Sequence, residues 1–372
     1  MIKVGITGKN GFIGTHLFNA LGLRENFECV PFERSFFLDQ AKLKEFVRRC
    51  DVIVHLAALN RHDDPQVIYD TNVRLVKYLI KALEETQSLP HVLFASSTQE
   101  EKDNLYGLSK KEGRVLFEMW ARKNKANFSG LLIPNVFGPF GEPYYNSVVA
   151  TFCHQLTHGE NPKIKVDGKL KLIYVGELIT EMIKIMENPN NTPSFYEVPC
   201  TSISKVSDLL GQLEFYKFVY MEKGEIPSLY TNFELNLFNT FRCFLPHQET
   251  FPVKYIQHTD SRGAFVEIIR LGMGGQVSFS TTAPGITRGN HFHTRKIERF
   301  SVIKGKALIQ LRRVGTDKVI EFTLNGEEPS YVDMPIWYTH NIKNIGEEEL
   351  LTIFWINEFY DPKDPDTYFE VV

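Results

Sequence analysis

At 372 residues the chain is long for a single core, so two domains are expected. Apolar residues make up 43% and charged residues 23%, and the net charge of −3 gives no electrostatic case for nucleic acid or an anionic membrane. No apolar run approaches the roughly 20 residues that span a bilayer, which excludes membrane insertion by a helix. The opening Met1-Ile-Lys-Val-Gly-Ile-Thr-Gly8 reads as a first strand and not as a secretory leader. Five scattered cysteines, Cys29, Cys50, Cys153, Cys200 and Cys243, show no C-x-x-C spacing and fit buried thiols in a reducing cytoplasm.

Ile2 to Thr7 is a short apolar strand, followed by Gly8-Lys-Asn-Gly11-Phe-Ile-Gly14 and an apolar-periodic helix through Leu17, Ala20 and Leu21. In a strand, glycine turn and helix, Gly8 permits the turn and Gly11 lets the backbone approach a pyrophosphate at the helix N-terminus. Gly14 lets the helix pack closely on the strand. The G-x-x-G-x-x-G spacing resembles the extended short-chain dehydrogenase/reductases. That resemblance implies a doubly wound α/β Rossmann domain, with Gly8, Gly11, Phe12, Ile13 and Gly14 as cofactor contacts.

The second strand, Phe27 to Pro31, ends at Phe32-Glu33-Arg34. A carboxylate here suits the ribose 2′-hydroxyl of NAD, and an arginine suits the 2′-phosphate of NADP. Both residue types are present, and Arg34, better placed past the strand end, favours NADPH. A buried strand from Asp51 to His55 then leads to Leu56, Ala57 and Ala58. In the resembled family this edge flanks the cofactor's ribose and pyrophosphate, with Asn60 and Arg61 on the loop beyond.

Val92-Leu-Phe-Ala-Ser96-Ser97-Thr98 is a further strand ending in hydroxyls, and Tyr106-Gly-Leu-Ser-Lys110 opens a helix. Tyrosine and lysine four apart share a helical face. A lysine cation with a nearby nicotinamide cation lowers a tyrosine from about 10 toward working pH. Tyr106 is then able to protonate a carbonyl oxygen as hydride reaches its carbon, with Lys110 beside it. Ser97, three steps beyond Phe94, matches the family's catalytic hydroxyl better than Ser96 or Thr98. Leu131-Leu-Ile-Pro134-Asn135-Val-Phe-Gly138-Pro139 resembles the family's R-x-x-N-V-F-G-P segment, with Leu132 in place of the arginine.

From Thr201 to Phe244 the chain reads as helices without assignable chemistry, and Cys243 to Pro252 is the expected join. The expected domains are therefore residues 1–246, the NADP-dependent reductase, and 247–372, an all-β barrel. In the second, His291 and His293 are two apart, so on a strand both point to one face. Glu298 and His340 complete three imidazoles and a carboxylate, a set that suits zinc or another first-row divalent metal. The spacing of Gly285, both histidines, Glu298, Gly305, Pro335 and His340 resembles the two metal motifs of cupins. Trp337 stands where those motifs usually carry glycine, an exchange expected to narrow the barrel mouth.

Asp260-Ser-Arg262-Gly263-Ala-Phe265-Val-Glu267 resembles the opening of the deoxysugar 3,5-epimerases, cupin-fold enzymes acting on nucleotide-linked 4-ketosugars. In them the matching histidine is a base, so His291 is both a catalytic candidate and a candidate ligand. Arg262 is either a pyrophosphate contact or half of a salt bridge. The order of the two halves resembles the CapF family. That resemblance implies a UDP-2-acetamido-2,6-dideoxy-4-hexulose substrate, epimerised at C3 by the cupin and reduced at C4 with NADPH by the first domain. The product implied is UDP-2-acetamido-2,6-dideoxy-L-talose, for capsule or O-antigen. A homodimer through the cupin is expected, as cupins of this kind commonly pair. Two alternatives stay open: a plain 4-ketosugar reductase with a structural, dimerising cupin, and a non-catalytic NADP/sugar sensor.

Overall fold

The structure, a computed structural model, describes residues 1–190 and 192–372. The chain divides into two compact units, the first formed by Met1–Val148 with Gly168–Lys205 and the second by Val149–Asp167 with Val206–Val372. Among the described residues no helix is long and apolar enough to cross a membrane.

In the first unit the sheet runs Phe27–Val30, Ile2–Thr7, Val52–His55, His91–Ser97, Phe128–Ile133 and Phe195–Glu197, with every neighbouring pair parallel. Its central strands are buried along their lengths, which is why they read as unbroken apolar runs. Helices Pro65–Thr86 and Leu105–Asn124 pack on one another, and Val76, Leu79, Phe117 and Trp120 join Leu43, Phe46 and Phe94 in one core. Asp64 accepts from the Gln66 amide at 2.9 Å to start the first of these helices, and Asn104 accepts from the Gly107 amide at 2.8 Å to start the second. From Ile2–Thr7 the chain steps outward to Phe27–Val30 and then crosses to Val52–His55 on the other side. The carboxyl ends of Ile2–Thr7 and Val52–His55 therefore flank the switch point at which doubly wound sheets bind ligands.

In the second unit two antiparallel five-stranded sheets form the barrel. One runs Val253–Lys254, Ser330–Met334, Glu298–Lys304, Leu350–Ile356 and Gln276–Thr282. The other runs Val319–Asn325, Lys306–Arg313, Tyr338–Asn344, Thr287–Phe292 and Tyr368–Phe369. Ala307, Ile309 and Leu311 alternate inward and meet Val302, Val332 and Ile342 in the barrel core. A doubly wound α/β domain followed by an all-β cupin barrel is thus the architecture.

The units do not divide at residue 246. Helices Val206–Tyr216 and Asn232–Arg242, which the sequence assigns to the first domain, belong with the barrel, as does Val149–Asp167. A buried polar knot ties Tyr220 and Arg242 to the barrel. Arg299 donates to both oxygens of Asp333 at 2.7 and 2.9 Å, and the Tyr220 hydroxyl donates to the same carboxylate at 2.6 Å. Arg242 donates to the Met334 carbonyl at 3.0 Å. Arg299 and Asp333 have side chains 1% exposed, so removing either leaves a buried charge unpaired. In the sequence Arg242 lies in a helical stretch without assignable chemistry; only the strand it meets shows its part.

Candidate active site and metal centre

The glycine turn lies at the switch point. Gly8 has φ +80°, and a Cβ there would stand 2.8 Å from the Ala57 amide nitrogen, so the first turn and the end of the third strand meet backbone to backbone. A Cβ at Gly14 would lie 2.3 Å from the Gly8 carbonyl oxygen, which only glycine avoids. The helix Phe12–Gly22 begins there with no acidic residue in its first turn, leaving its N-terminal amides and their partial positive charge for a phosphate. Leu56, Ala57, Phe12 and Ile13 are half-buried around this turn, and Asn60 is exposed on the loop. Arg34 is exposed at the start of the turn Arg34–Leu38, one residue past Glu33.

Ser97 ends the strand His91–Ser97, and Tyr106 and Lys110 lie in the first turns of the helix Leu105–Asn124 that packs beside that strand. Gly107 explains how closely: a Cβ on it would lie 2.0 Å from the Gln99 carbonyl oxygen, so the first turn of the helix abuts the turn that follows Ser97. Ser96 is buried and donates to Glu100, whose carboxylate is also held by Arg114 at 2.8 Å. Ser97 is half-buried, and its hydroxyl oxygen accepts from the Gln99 amide at 3.2 Å. The Lys110 ammonium is buried, donates to the Ala95 carbonyl at 3.0 Å and sits 5.8 Å from the centre of the Tyr106 ring. Burial lowers Lys110 to about 8, partly countered by Glu100.

The sequence expects Lys110 together with a nicotinamide cation to lower Tyr106; in the protein without that cation, burial dominates. Burial, with Tyr145 nearby, pushes the Tyr106 hydroxyl up to about 12.

Asn72 was not singled out by the sequence. Its side-chain oxygen accepts from the Leu59 amide at 2.7 Å, and its amide nitrogen donates to the Leu59 carbonyl at 3.1 Å and to Ser109 Oγ at 3.0 Å. It thereby ties the loop carrying Ala57 and Asn60 to the helix carrying Tyr106 and Lys110. Nothing in its surroundings along the chain marks it, since both partners lie 13 or more residues away. Leu132 is a buried residue of the strand Phe128–Ile133.

In the second unit His291, His293, Glu298 and His340 present ligand atoms that all lie within 4.8 Å of one another. His291 pairs opposite His340 across neighbouring strands, and Glu298 begins a strand of the other sheet. The Glu298 carboxylate oxygen Oε2 stands 3.2 Å from His293 Nε2 and 3.1 Å from His340 Nε2. The latter nitrogen is buried and lacks any partner of hydrogen-bond alignment. A buried imidazole nitrogen without such a partner, facing a buried carboxylate, fits a cation. The outer nitrogens fit it too: His293 Nδ1 meets the Asp366 carbonyl at 2.5 Å and His340 Nδ1 the Tyr338 carbonyl at 3.1 Å, directing both Nε2 atoms inward. Burial, reinforced by His340, lowers His291 to about 4. Burial alone would raise Glu298, but the two imidazoles beside it hold it well below the usual carboxylate range. A neutral imidazole and an ionised carboxylate are the forms in which these groups bind metal.

Trp337 has φ +61°, a left-handed backbone that glycine adopts freely and tryptophan rarely does. Its amide donates to the His293 carbonyl at 2.8 Å, and its buried ring stacks on Phe292 at 5.6 Å. The exchange for glycine thus braces the His-x-His segment. Arg262 forms an exposed salt bridge with Asp260 at 2.5 Å, two residues away.

Residues 4–198 match the NAD dependent epimerase/dehydratase family, and residues 258–368 match the polysaccharide biosynthesis C-terminal domain. The chain is 35% identical over 370 residues to a UDP-2-acetamido-2,6-beta-L-arabino-hexul-4-ose reductase of Pseudomonas aeruginosa, covering 99% of this chain and 98% of that one. It resembles the crystal structure of the capsular polysaccharide assembling protein CapF from Staphylococcus aureus with a TM-score of 0.64 and 31% identity, covering 100% of both chains. RMD from Pseudomonas aeruginosa, complexed with NADPH, is 18% identical with a TM-score of 0.53 over 58% of this chain and 82% of that one, and shares the fold alone.

Proposed function

The chain belongs to the NAD dependent epimerase/dehydratase family, in the CapF group that adds a polysaccharide biosynthesis C-terminal domain, and from that premise we propose a bifunctional nucleotide-sugar enzyme. Its substrate is a UDP-2-acetamido-2,6-dideoxy-4-hexulose. The second unit inverts C3, and the first reduces the C4 ketone to give UDP-2-acetamido-2,6-dideoxy-L-talose, a precursor of capsule or O-antigen. The observation that carries this reading is a complete set of three imidazoles and a carboxylate in the same chain as Ser97, Tyr106 and Lys110.

The chemistry fixes the order. A C4 ketone acidifies the C3 hydrogen, and reduction removes that ketone, so inversion comes first. A divalent ion, zinc foremost, would be held by His293, Glu298, His340 and His291 and would supply a Lewis acid for a sugar oxygen. His291, less buried than the other three, serves either as ligand or as the base that takes the C3 proton, and its low pKa leaves it neutral for either. NADPH would lie against Gly8, Gly11, Phe12, Ile13, Gly14, Leu56, Ala57 and Asn60, supplying the hydride. Tyr106 gives its proton to the C4 oxygen, Ser97 donates a hydrogen bond to that oxygen, and Lys110 holds the cofactor ribose. We place the enzyme in the cytoplasm as a homodimer through the second unit, a reading supported by Phe265, Val277 and Phe279 standing exposed on its strands. Sedimentation velocity showing only monomer at assay concentration would reject the dimer.

Following the 4-ketosugar by NMR in deuterated water, without and then with NADPH, tests the whole. Deuterium is expected at C3 before any reduction. Reduction without prior exchange supports a plain 4-ketosugar reductase instead.

Arg34 supports NADPH over NADH. A guanidinium on a phosphate makes charge-assisted bonds of about 1.5–3 kcal/mol. Arg34→Ala is therefore expected to weaken NADPH by roughly ten- to a hundredfold while leaving NADH nearly unchanged, read by fluorescence titration. Equal loss for both cofactors rejects the role.

A further inference from the structure

We propose that the C-terminal segment Pro365–Phe369 is a strap that positions the metal centre, with Asp366 as its anchor; the inference rests on the metal reading above. Asp366 is 2% exposed, and each of its carboxylate oxygens takes two hydrogen bonds from the loop that follows His293. One oxygen accepts from the Thr294 amide at 3.0 Å and the Thr294 hydroxyl at 2.6 Å, the other from the Arg295 amide at 3.0 Å and the Lys296 amide at 3.1 Å. The same residue, turned by a left-handed φ of +40°, aims its own carbonyl at His293 Nδ1, 2.5 Å away.

A carbonyl can only accept, so the proton of a neutral His293 ring must sit on Nδ1. That leaves the Nε2 lone pair facing Glu298 and the ion. His340 takes its outer partner from Tyr338, two residues away on its own strand. His293 takes its partner from 73 residues away, so the ring's setting depends on the strap being docked. Three further contacts dock it. The buried Lys296 ammonium donates to the Pro365 carbonyl at 2.7 Å, Tyr368 stacks on Phe292 at 5.4 Å, and Tyr368–Phe369 pairs along His291 and Phe292. Asp366 stands outside the four-ligand set and acts through His293.

The test uses the full-length, metal-stripped chain titrated with Co2+ alone, with affinity set by chelator competition and geometry read from the visible ligand-field band. Asp366→Ala is expected to weaken Co2+ by about 10–100-fold and to shift the band. Thr294→Val, which removes one of the four carboxylate bonds, is expected to weaken it less than about tenfold, with Asp366→Asn between them. A purely structural strap would lower the melting temperature without moving the ring. Long-range proton–nitrogen spectra of the metal-free protein should therefore show the His293 Nδ1 proton hydrogen-bonded and slow to exchange in the unaltered chain, and fast to exchange in Asp366→Ala. Unchanged Co2+ affinity with unchanged exchange of the His293 Nδ1 proton across the series overturns the inference. If Asp366→Ala fails to fold, Thr294→Val and Asp366→Asn decide it. If the unaltered chain takes up no Co2+, the metal reading falls, and the Nδ1 proton-exchange comparison still judges the strap.

Discussion

With NADPH and a UDP-linked 4-ketosugar already inverted at C3, Tyr106→Phe is expected to reduce the ketone about 10²–10⁴-fold more slowly than the unaltered chain, the usual worth of a positioned acid. Only the hydroxyl is lost, and the ring keeps its place beside Lys110. NADPH binding is expected to stay within a few-fold, and deuterium should still enter C3. Burial holds the hydroxyl up near 12, so in the protein alone it remains protonated across the neutral range. That suits the donor in the reducing direction. A wild-type rate in Tyr106→Phe, measured by NADPH absorbance, removes the tyrosine from this role.

His293→Ala is expected to act in the other unit and to leave reduction alone. Its Nε2 faces Glu298, and its Nδ1 is the atom the strap holds. Losing a ligand should cost more than the roughly 10–100-fold typical of an outer partner, so elemental analysis is expected to find metal-poor protein. Deuterium entry at C3 should stop, while a ketosugar inverted beforehand is still reduced. A full metal complement in this variant rejects the ligand set. Metal loss with normal exchange assigns the ion a structural part and moves the C3 chemistry to other barrel residues.

Local features of both units were legible because their physics is local. The glycine turn is written in seven consecutive residues, and the restrictions on Gly11 and Gly14 come from neighbours within the turn. The tyrosine and lysine share a face by helical spacing, and His291 and His293 differ by one alternation of a strand. Long-range partners were not legible. Asp366 sits in a polar tail, and nothing near it in sequence shows that its carboxylate finds three successive amides some 70 residues back. Arg242 belongs with the barrel for a like reason, since its acceptor on Met334 lies 92 residues on. The burial of the Tyr106 hydroxyl is not legible for a third cause: residue spacing reports proximity of charge, whereas burial depends on everything else packed around the residue.

The interleaving of the two units bears on how the chain is made. Helix Val148–Thr157 is synthesised before the stretch Gly168–Lys205, which goes to the first unit, and its own partners follow later still. Thr157, for example, donates to the Phe244 carbonyl, 87 residues downstream. At about 5–20 residues per second a ribosome takes roughly 4–17 s to cover that distance. For that interval the helix, whose Phe152, Cys153 and Leu156 are buried in the finished fold, lacks the Phe244 partner of Thr157. A nascent segment of this kind is a natural client for a holding chaperone, and synonymous codons that slow translation between residues 168 and 205 would lengthen its exposure.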